Sequence, residues 1–351
     1  MKFTSDNASG VAPEIMAALS AANDGAAGAY GGDPWTDRTT ALIQETFEHE
    51  DAAVFLVATG SAANALALSA VTPVWGSILC HRQAHVEEDE CGAPEFYIGG
   101  GKLALLDGDD AKISANVLTE ALRKGGGHGV HSHQPRVLSL TQATEAGALY
   151  SADEVAELAG IAHGAGLRVH MDGTRFSNAI ARTNHSPAEM SWKAGVDILC
   201  LGATKCGAMA AEAVVVFDPG LADEIAYRRK RGGHLFSKMR FVSAQMEAWL
   251  KDGLWLRLAG RANAMADRLA EGLRQIPSMR LAHPVEANMM FVEMEARTHQ
   301  ALRAAGADYY LEPAWQDEDA SEGRVQARLV CSFATTPEQV DEFLEKAQAA
   351  Q

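Results

Sequence analysis

The sequence predicts an α/β fold built around a mostly parallel β-sheet. Short apolar runs alternate along the chain with longer amphipathic ones, which is the order typical of βα units. The first five short runs are each followed by Gly, Asp, His or Thr, as expected where a buried strand ends in a functional loop. From about Ser243 the pattern changes, so we expect a large domain over residues 1–243 and a small α+β domain over residues 244–351.

The elements of both domains can be placed in chain order. In the large domain we expect strands at Ala53–Ala58, Ser77–Cys80, Arg136–Leu140, Leu167–Met171, Asp197–Leu201 and Ala211–Phe217. Helices are expected between them at Ser61–Val71, Ala115–Arg123 and Ala152–Ala165. One long helix from Ala244 to about Gln275 is predicted to lead into the small domain. There we expect short segments at Arg280–Ala282 and Ala287–Met294, a helix near Thr298–Ala305 and a strand at Ala327–Phe333.

Composition narrows the possible partners. The 351 residues are 47% hydrophobic and carry 30 basic against 46 acidic side chains, a net charge of −16. An acidic protein gains nothing from phosphate electrostatics, so we expect no nucleic acid and no anionic membrane as partner. The opening MKFTSDNASG lacks the features of a signal peptide, and no apolar run approaches about 18 residues. The five cysteines contain no CxxC pair, which is typical of reduced thiols in a cytoplasmic protein.

Thr59-Gly60-Ser61 follows a predicted strand and opens a predicted helix. Gly60 lets the backbone approach a phosphate, the Ser61 hydroxyl can donate to it, and the helix N-terminus supplies N–H groups. Alone, the motif is more typical of a simple helix cap.

Asp172 and Lys205 each follow an apolar strand. Asp172, in His170-Met171-Asp172-Gly173, sits where a sheet presents side chains to a ligand, although an Asp before Gly is also common in turns. Such a carboxylate can hold a pyridine nitrogen protonated, which makes the ring an electron sink. Lys205 lies among small residues 33 positions later, enough for one helix and one strand to return it to the same sheet edge. A desolvated lysine is a good amine for a Schiff base.

His85 lies 25 residues past Gly60, after the second predicted strand. An imidazole there can stack on a planar cofactor ring and move protons, although a histidine on a surface loop would read the same way. The acidic run Glu87–Glu90 is typical of a solvated face.

In this order, the motifs resemble the low-specificity L-threonine aldolase family, and most closely the branch that contains phenylserine aldolases. The likeness covers nearly the whole chain and starts at Ser5-Asp6-Asn7 and Tyr30-Gly31-Gly32-Asp33-Pro34, which are similar to the family's SDT and YGxDP segments. It implies the aspartate-aminotransferase-like fold (fold type I), with a mostly parallel seven-stranded sheet in the large domain. It also implies pyridoxal phosphate as the cofactor.

The resemblance assigns roles to residues around that cofactor. It implies that Lys205 binds the cofactor covalently, that Gly60 and Ser61 hold its phosphate, and that His85, followed by Glu90, stacks on its ring. Asp172 falls on the partner of the pyridine nitrogen, and Arg175 lies near the phenolic oxygen. Thr174 and Cys206 depart from the usual residues at their positions, and Gln142–Glu145 departs from the family's ENTHN segment.

The resemblance also assigns substrate contacts. Arg328, in Arg328-Leu329-Val330, falls on the arginine that grips the substrate carboxylate, with Ser5 assisting. Tyr30 and Arg240 are expected to reach the site of a neighbouring subunit, because the family forms dimers or tetramers with shared sites. Arg240 is placed near the phosphate, although a solvated helix face is an alternative for it.

His131 falls where the family has a histidine near the substrate hydroxyl. A metal cluster formed by His128, His131 and His133 is the competing interpretation, but no nearby Cys or HxxxH pair supports it. We therefore expect no metal and keep His85 and His131 as candidates for the base.

The predicted activity is cleavage of the Cα–Cβ bond of L-β-hydroxy-α-amino acids to glycine and an aldehyde. The alternatives are another fold type I enzyme, namely an aminotransferase or a β-eliminating lyase, and a metal-dependent or non-catalytic binding protein. Substrate side chain, Cβ stereochemistry and the dimer-or-tetramer choice stay open at this stage.

Overall fold

A computed structural model describes residues 1–312, 319 and 322–350 of the chain. Its main feature is one large sheet, whose seven strands are β1 (Ala53–Val57), β2 (Gly76–His81), β3 (Lys102–Leu106), β4 (Gln134–Thr141), β5 (Arg168–Gly173), β6 (Ile198–Gly202) and β7 (Glu212–Val216). Their spatial order is β1-β7-β6-β5-β4-β2-β3. Only β7 runs against its neighbours, and the other pairings are parallel. The predicted seven-stranded, mostly parallel sheet is confirmed.

Helices cover both faces of this sheet. They are α1 (Pro13–Ala22), α2 (Pro34–Thr46), α3 (Gly60–Val71), α4 (His85–Glu88), α5 (Ala93–Ile98), α6 (Ala115–Lys124), α7 (Ala152–Gly164), α8 (Phe176–Arg182), α9 (Ala222–Arg231) and α10 (Arg240–Leu250). Alternate residues of β6 enter different cores, with Leu199 packed in one cluster and Cys200 in another. This two-sided burial explains why the strands read as continuous apolar runs.

Strand β3 was missing from the sequence prediction. Its segment KLALL forms the edge of the sheet and pairs only with β2. A short apolar run of this kind does not distinguish a strand from a buried piece of helix by periodicity.

A second, antiparallel sheet follows in the chain. Its strands are β8 (Arg280–Leu281), β9 (Met289–Glu295), β10 (Tyr310–Leu311) and β11 (Arg324–Val330), in the order β10-β11-β9-β8. Helices α11 (Leu254–Arg274), α12 (Ala296–Ala304) and α13 (Pro337–Ala349) accompany it. The core of this part includes Phe3 from the start of the chain, whose ring centroid lies 5.2 Å from that of Phe343.

The single long helix predicted from Ala244 is wrong, because α10 and α11 are separate. Between them the backbone at Asp252 and Gly253 has φ values of 53° and 68°, in the left-handed region that a right-handed helix cannot contain. Helix α11 then spans both cores, with Leu258 in the first and Leu269 in the second. The division of the chain near residue 243 stays a prediction.

One edge of the large sheet collects the chemically relevant side chains. Strands β5 and β6 are parallel and in register, with Asp172 opposite Cys200, so both end at this edge. Helix α3 begins there, directly after β1, and β7 starts there because it runs in the opposite direction. Within the described residues, no helix has the length and apolar character needed to cross a membrane.

Candidate active site

Lys205 lies in a short 3₁₀ turn, Thr204–Cys206, directly after β6. The turn closes at Gly207, whose φ of 104° suits glycine and whose added Cβ would lie 2.8 Å from a methyl carbon of Leu258. Burial, followed by the positive charge of Arg175, lowers the pKa of Lys205. A lower pKa exposes the neutral, nucleophilic amine, which is the property that a cofactor-binding lysine needs.

Asp172 is buried near the end of β5 and is fully engaged in hydrogen bonds. Its Oδ1 accepts from the backbone N–H of Thr174 at 3.0 Å and from the Thr174 hydroxyl at 2.7 Å. Its Oδ2 accepts from the side-chain amide of Asn64 at 2.9 Å. Burial alone would raise the pKa of Asp172, but the charge of His85 and these hydrogen bonds lower it overall. The carboxylate is therefore held ionised inside the protein.

His85 begins helix α4 and is fixed through both its backbone and its ring. Its backbone N–H donates to Oε1 of Glu145 at 2.9 Å, and its Nδ1 lies 2.9 Å from Oε1 of Glu90. Asn64 donates to the same Glu90 oxygen at 2.8 Å, so hydrogen bonds connect His85 to Asp172. The hydrogen bond to Glu90, opposed by burial and helped by the charge of Asp172, raises the pKa of His85.

Helix α3 presents its N-terminus to the same space. Thr59 caps the helix, its hydroxyl accepting from the N–H of Ala62 at 3.3 Å, and Gly60 and Ser61 form the first turn. A Cβ added to Gly60 would come no closer than 3.7 Å to an atom of Thr174, so packing of the chain leaves this space open. Free N–H groups at a helix start form an anion site.

A cavity of about 250 Å³ joins these parts. Its walls include Gly60, Ser61, His85, Thr174, Lys205 and Glu212. The cavity thus combines an amine, an imidazole and a helix N-terminus, with Asp172 behind it.

Arg175 forms a buried ion pair with Asp6. Its Nε and one terminal nitrogen donate to the two Asp6 oxygens at 2.9 and 3.1 Å, and Asn288 donates to Asp6 at 3.1 Å. The predicted site did not include Asp6, although it follows Ser5 in the Ser5-Asp6-Asn7 motif. Ser5 itself caps the turn that contains Asp6, its hydroxyl accepting from the N–H of Asn7 at 3.1 Å.

Arg328 points from β11 towards the same charges. Arg328 is partly buried, its Nε lies 3.3 Å from the sulfur of Met289, and no carboxylate among the described residues forms a salt bridge with it. Burial first, and the charge of Arg175 second, lower the pKa of Arg328. A desolvated guanidinium of this kind favours an anionic ligand.

Tyr30 and Arg240 lie together outside the cavity of their own chain. Tyr30 is 50% exposed, its N–H donates to the carbonyl of Ser237 at 3.0 Å, and the Lys230 ammonium lies 4.6 Å from its ring centroid. Arg240 donates to the carbonyl of Gly25 at 3.1 Å. Their assigned roles stay predictions.

His131 also lies away from the cavity. It is exposed in the 3₁₀ turn Gly129–His131, which precedes β4. The site is at the other end of this eight-residue strand, roughly 25 Å away at about 3.3 Å per residue. Among the described residues, the metal-ligating atoms that converge, within 4.8 Å, belong to His85, Glu90 and Asp172, and not to His128, His131 or His133.

Two buried acids near the site were not predicted. Burial raises the pKa of Glu145 to about 7 and the pKa of Glu212 to about 7. Glu212 could have been found from the sequence, because a lone carboxylate in the apolar run AAEAVVV needs a partner once the run is buried.

Comparison with known proteins identifies the group to which this chain belongs. A family model described as β-eliminating lyase matches residues 2–297. A low specificity L-threonine aldolase from Pseudomonas aeruginosa is 44% identical over 343 residues, which cover 97% of this chain and 95% of that protein. The chain belongs to the β-eliminating lyase family. A second low specificity L-threonine aldolase, from another Pseudomonas, is 42% identical over the same shares of both chains.

The solved structure of Leishmania major threonine aldolase has the same architecture. It superposes with a TM-score of 0.91 at 26% identity and covers 99% of this chain and 98% of that one. The resemblance to low-specificity L-threonine aldolases and the fold type I architecture are confirmed. The chain is an enzyme of the carbon–carbon lyase class, which removes the non-catalytic alternative.

Pyridoxal phosphate is the cofactor of this enzyme, and the residues present fit it. The ionised, buried Asp172 suits a protonated pyridine nitrogen, and the imidazole of His85 offers a planar partner for the ring. The helix start at Gly60 and Ser61 suits a phosphate, and Lys205 is an amine of lowered pKa on the same cavity.

Proposed function

We propose that this enzyme cleaves the Cα–Cβ bond of L-β-hydroxy-α-amino acids such as threonine, allo-threonine and phenylserine, releasing glycine and an aldehyde. The observation that carries the proposal is that Lys205 and His85 line one cavity, with the ionised Asp172 behind it and Arg328 near the same charges. The identity of 44% to a low specificity L-threonine aldolase supports the same reaction.

Pyridoxal phosphate, when bound, supplies an electron sink for the electrons of the breaking bond. Lys205 would hold it covalently, and Gly60 and Ser61 its phosphate. Asp172 keeps a negative charge at the place for the pyridine nitrogen, since its hydrogen bonds to Thr174 and Asn64 favour the ionised form. Arg175, fixed by Asp6, would lie beside the phenolic oxygen.

Arg328 would bind the substrate carboxylate. Its partly buried guanidinium has no salt bridge within the described part of the chain, so an incoming carboxylate supplies the missing charge. A planar guanidinium grips a carboxylate through two hydrogen bonds and therefore fixes its orientation as well as its position. Ser5, which lies beside Asp6, would assist. Orientation of this kind sets which bond at Cα breaks.

His85, or a water molecule that it holds, would accept the proton of the β-hydroxyl. Its Nδ1 donates to Glu90 in the neutral ring, which leaves Nε2 as the accepting atom. His131 would be the alternative base, contributed by a neighbouring subunit, because it is exposed and far from the cavity of its own chain.

A homodimer or homotetramer in the cytoplasm, with Tyr30 and Arg240 reaching across the interface, completes the proposal. The exposure of Tyr30 and its proximity to the Ser237 backbone, three residues before Arg240, support a shared surface for both. Mixing a Lys205→Ala variant with an Arg240→Ala variant tests this, because hybrid assemblies would regain some intact sites. Activity no greater than the sum of the two separate variants would contradict a shared site.

The Lys205→Ala variant tests the site. We expect it to lose both the visible absorbance of the bound cofactor and turnover, because no other lysine lines the cavity in the described residues. An active, yellow variant would refute the assignment. The reaction is tested with threonine and phenylserine without any keto acid. Glycine plus an aldehyde supports the aldolase, whereas ammonia with a keto acid indicates β-elimination, and a requirement for keto acid indicates an aminotransferase.

A further inference from the structure

Glu212 is the first residue of β7 and lies beside the turn that holds Lys205. It pairs in register with Gly202, the last residue of β6, three positions before Lys205. The residue is only 5% exposed, and it lines the same cavity as Lys205. A carboxylate is therefore placed at the edge of the site, from the one strand that runs in the opposite direction.

The chain makes room for this carboxylate at Gly202. A Cβ added to Gly202 would lie 2.8 Å from Oε2 of Glu212, closer than real side chains approach. The hydroxyl and the backbone of Thr204 favour the ionised form of Glu212 and so oppose the rise in its pKa, and the Thr204 hydroxyl oxygen accepts from the N–H of Ala211 at 3.2 Å. The position of Glu212 is thus built by the turn and by the neighbouring strand.

Glu212 differs from the other acidic side chains near Lys205 in the groups that compensate its charge. Five charged side chains interact electrostatically with Lys205. They are Asp6, His85, Asp172, Arg175 and Glu212. Asp6 is paired with Arg175, and Asp172 accepts three hydrogen bonds. No arginine or other lysine in the described chain forms a salt bridge with Glu212, so the nearby cation that acts on it is Lys205.

We propose that Glu212 is the proton partner of Lys205 across the cavity that both line: through a water molecule between them, its carboxylate accepts a proton from Nζ when the lysine must act as a neutral amine, and returns it afterwards. This inference rests on the proposed role of Lys205 as the cofactor-binding residue. The step is balanced without a further reactant, since an ammonium and a carboxylate become an amine and a carboxylic acid. Burial raises the pKa of Glu212 to about 7 and lowers the pKa of Lys205, so the proton affinities of the two groups approach each other, which favours transfer in both directions.

The Glu212→Gln variant tests the proposal and keeps the volume next to Gly202. Apoenzyme is mixed with pyridoxal phosphate, and the rate of uptake is followed by absorbance as a function of pH. Removing a carboxylate that faces an ammonium destabilises the ammonium, so we expect the pH midpoint of uptake to fall by about 1 unit or more. Turnover of the holoenzyme should fall on the order of 100-fold, because the proton has lost its acceptor.

The first effect means that the neutral amine of Lys205 forms at lower pH, whereas the second means that turnover becomes slower. A purely structural role of Glu212 would not lower the pH midpoint. Glu212→Asp retains a carboxylate and should keep the midpoint within a few tenths of a unit of the wild-type value. Thr204→Val keeps Glu212 but removes its hydroxyl donor. Thr204→Val should shift the pH midpoint in the same direction as Glu212→Gln. It replaces Glu212→Gln as the test if that variant fails to fold.

Glu145→Gln is the matched control, since Glu145 is a buried acid with a pKa raised to about 7 and its charge is not among those acting on Lys205. Ionisation of the cofactor itself affects the pH midpoint equally in all variants, so it does not contribute to the differences between them. An unchanged midpoint in Glu212→Gln and Thr204→Val, or an equal shift in Glu145→Gln, overturns the proposal. If that outcome occurs and Lys205→Ala still loses the cofactor absorbance, only the role of Glu212 is rejected. If Lys205→Ala keeps the absorbance, the role of Lys205 as the cofactor-binding residue is rejected.

Discussion

The buried ion pair between Asp6 and Arg175 makes a quantitative prediction about stability. The Asp6→Asn substitution preserves the shape of the side chain but removes its negative charge. Arg175 then remains buried, with a side chain that is 10% exposed, beside a neutral amide. Its positive charge would be left facing those of Lys205 and Arg328, both of which interact with Arg175.

The size of the loss follows from that burial. Removing one partner of a buried ion pair costs about 3–5 kcal/mol, because the remaining charge has lost its compensation. Asparagine keeps part of the hydrogen bonding to Arg175, so we expect the lower end, about 3 kcal/mol in the free energy of unfolding. Asp6 is the group whose charge matters. Burial alone would raise its pKa, but Arg175, Lys205 and Asn288 together lower it overall.

The sign of the pH dependence follows from that lowered pKa. A carboxyl group whose pKa is lower in the folded protein stabilises it above the unfolded value of 3.8. That contribution is lost as the pH falls from there through the folded value. The difference between wild type and Asp6→Asn should therefore be constant from pH 6 to pH 8, within about 0.5 kcal/mol, and shrink below about pH 4.

Urea unfolding of both proteins, followed by fluorescence, measures the difference. The matched control is Asp267→Asn, because Asp267 binds Arg182 with similar geometry, at 2.8 and 2.9 Å, but with side chains 49% and 30% exposed. Breaking that exposed pair should cost at most about 1 kcal/mol. Equal losses in the two variants would refute the argument that burial decides the cost.

Three further predictions concern the reaction. Asp172→Asn removes the charge opposite the pyridine nitrogen and should lower kcat on the order of 100-fold or more; unchanged kcat in a cofactor-loaded variant would contradict its role. Arg328→Lys loses two-point binding of the carboxylate, so KM for threonine should rise about 10–100-fold while cofactor absorbance stays; an unchanged KM would exclude the carboxylate contact. Glu90→Gln removes the main cause of the raised pKa of His85. If neutral His85 is the base, the acidic limb of kcat/KM against pH should move to lower pH, and an unmoved limb would count against it.

Much of the fold was accessible from the sequence because its strands are buried on both faces. All six strands predicted in the large domain are followed directly by Gly, Asp, His or Thr, and their alternation with helices implies parallel neighbours. The edge strand β3 was missed because two of its five side chains are only partly buried and a third is exposed. The break between α10 and α11 at Asp252 was missed because an aspartate with a left-handed backbone conformation does not interrupt an amphipathic sequence pattern.

The site was predictable where a residue follows a strand or opens a helix. Lys205, Asp172 and Gly60 could be placed by this rule, and the structure brings them to one edge. Asp6 could not, because its importance arises from a partner 169 residues away. Glu212 stands out as a lone carboxylate in an apolar run, but its place near Lys205 depends on the antiparallel pairing of β7 with β6, which the run does not reveal. His131 shows the opposite limit: its position in the chain suggested a role, while the structure separates it from the cavity by the length of β4.

The acids around Lys205 illustrate how one environment produces several kinds of carboxylate. Burial opposes ionisation of all of them, and local partners decide the outcome. Asp6 gains a guanidinium and Asp172 gains three hydrogen bonds and the charge of His85, so both pKa values fall. Glu212 gains a hydroxyl and an amine of lowered pKa, which compensate less, and its pKa rises to about 7. Fixed charges can then hold and orient the cofactor, while the acid that titrates near neutrality lies beside the one amine that has to exchange a proton.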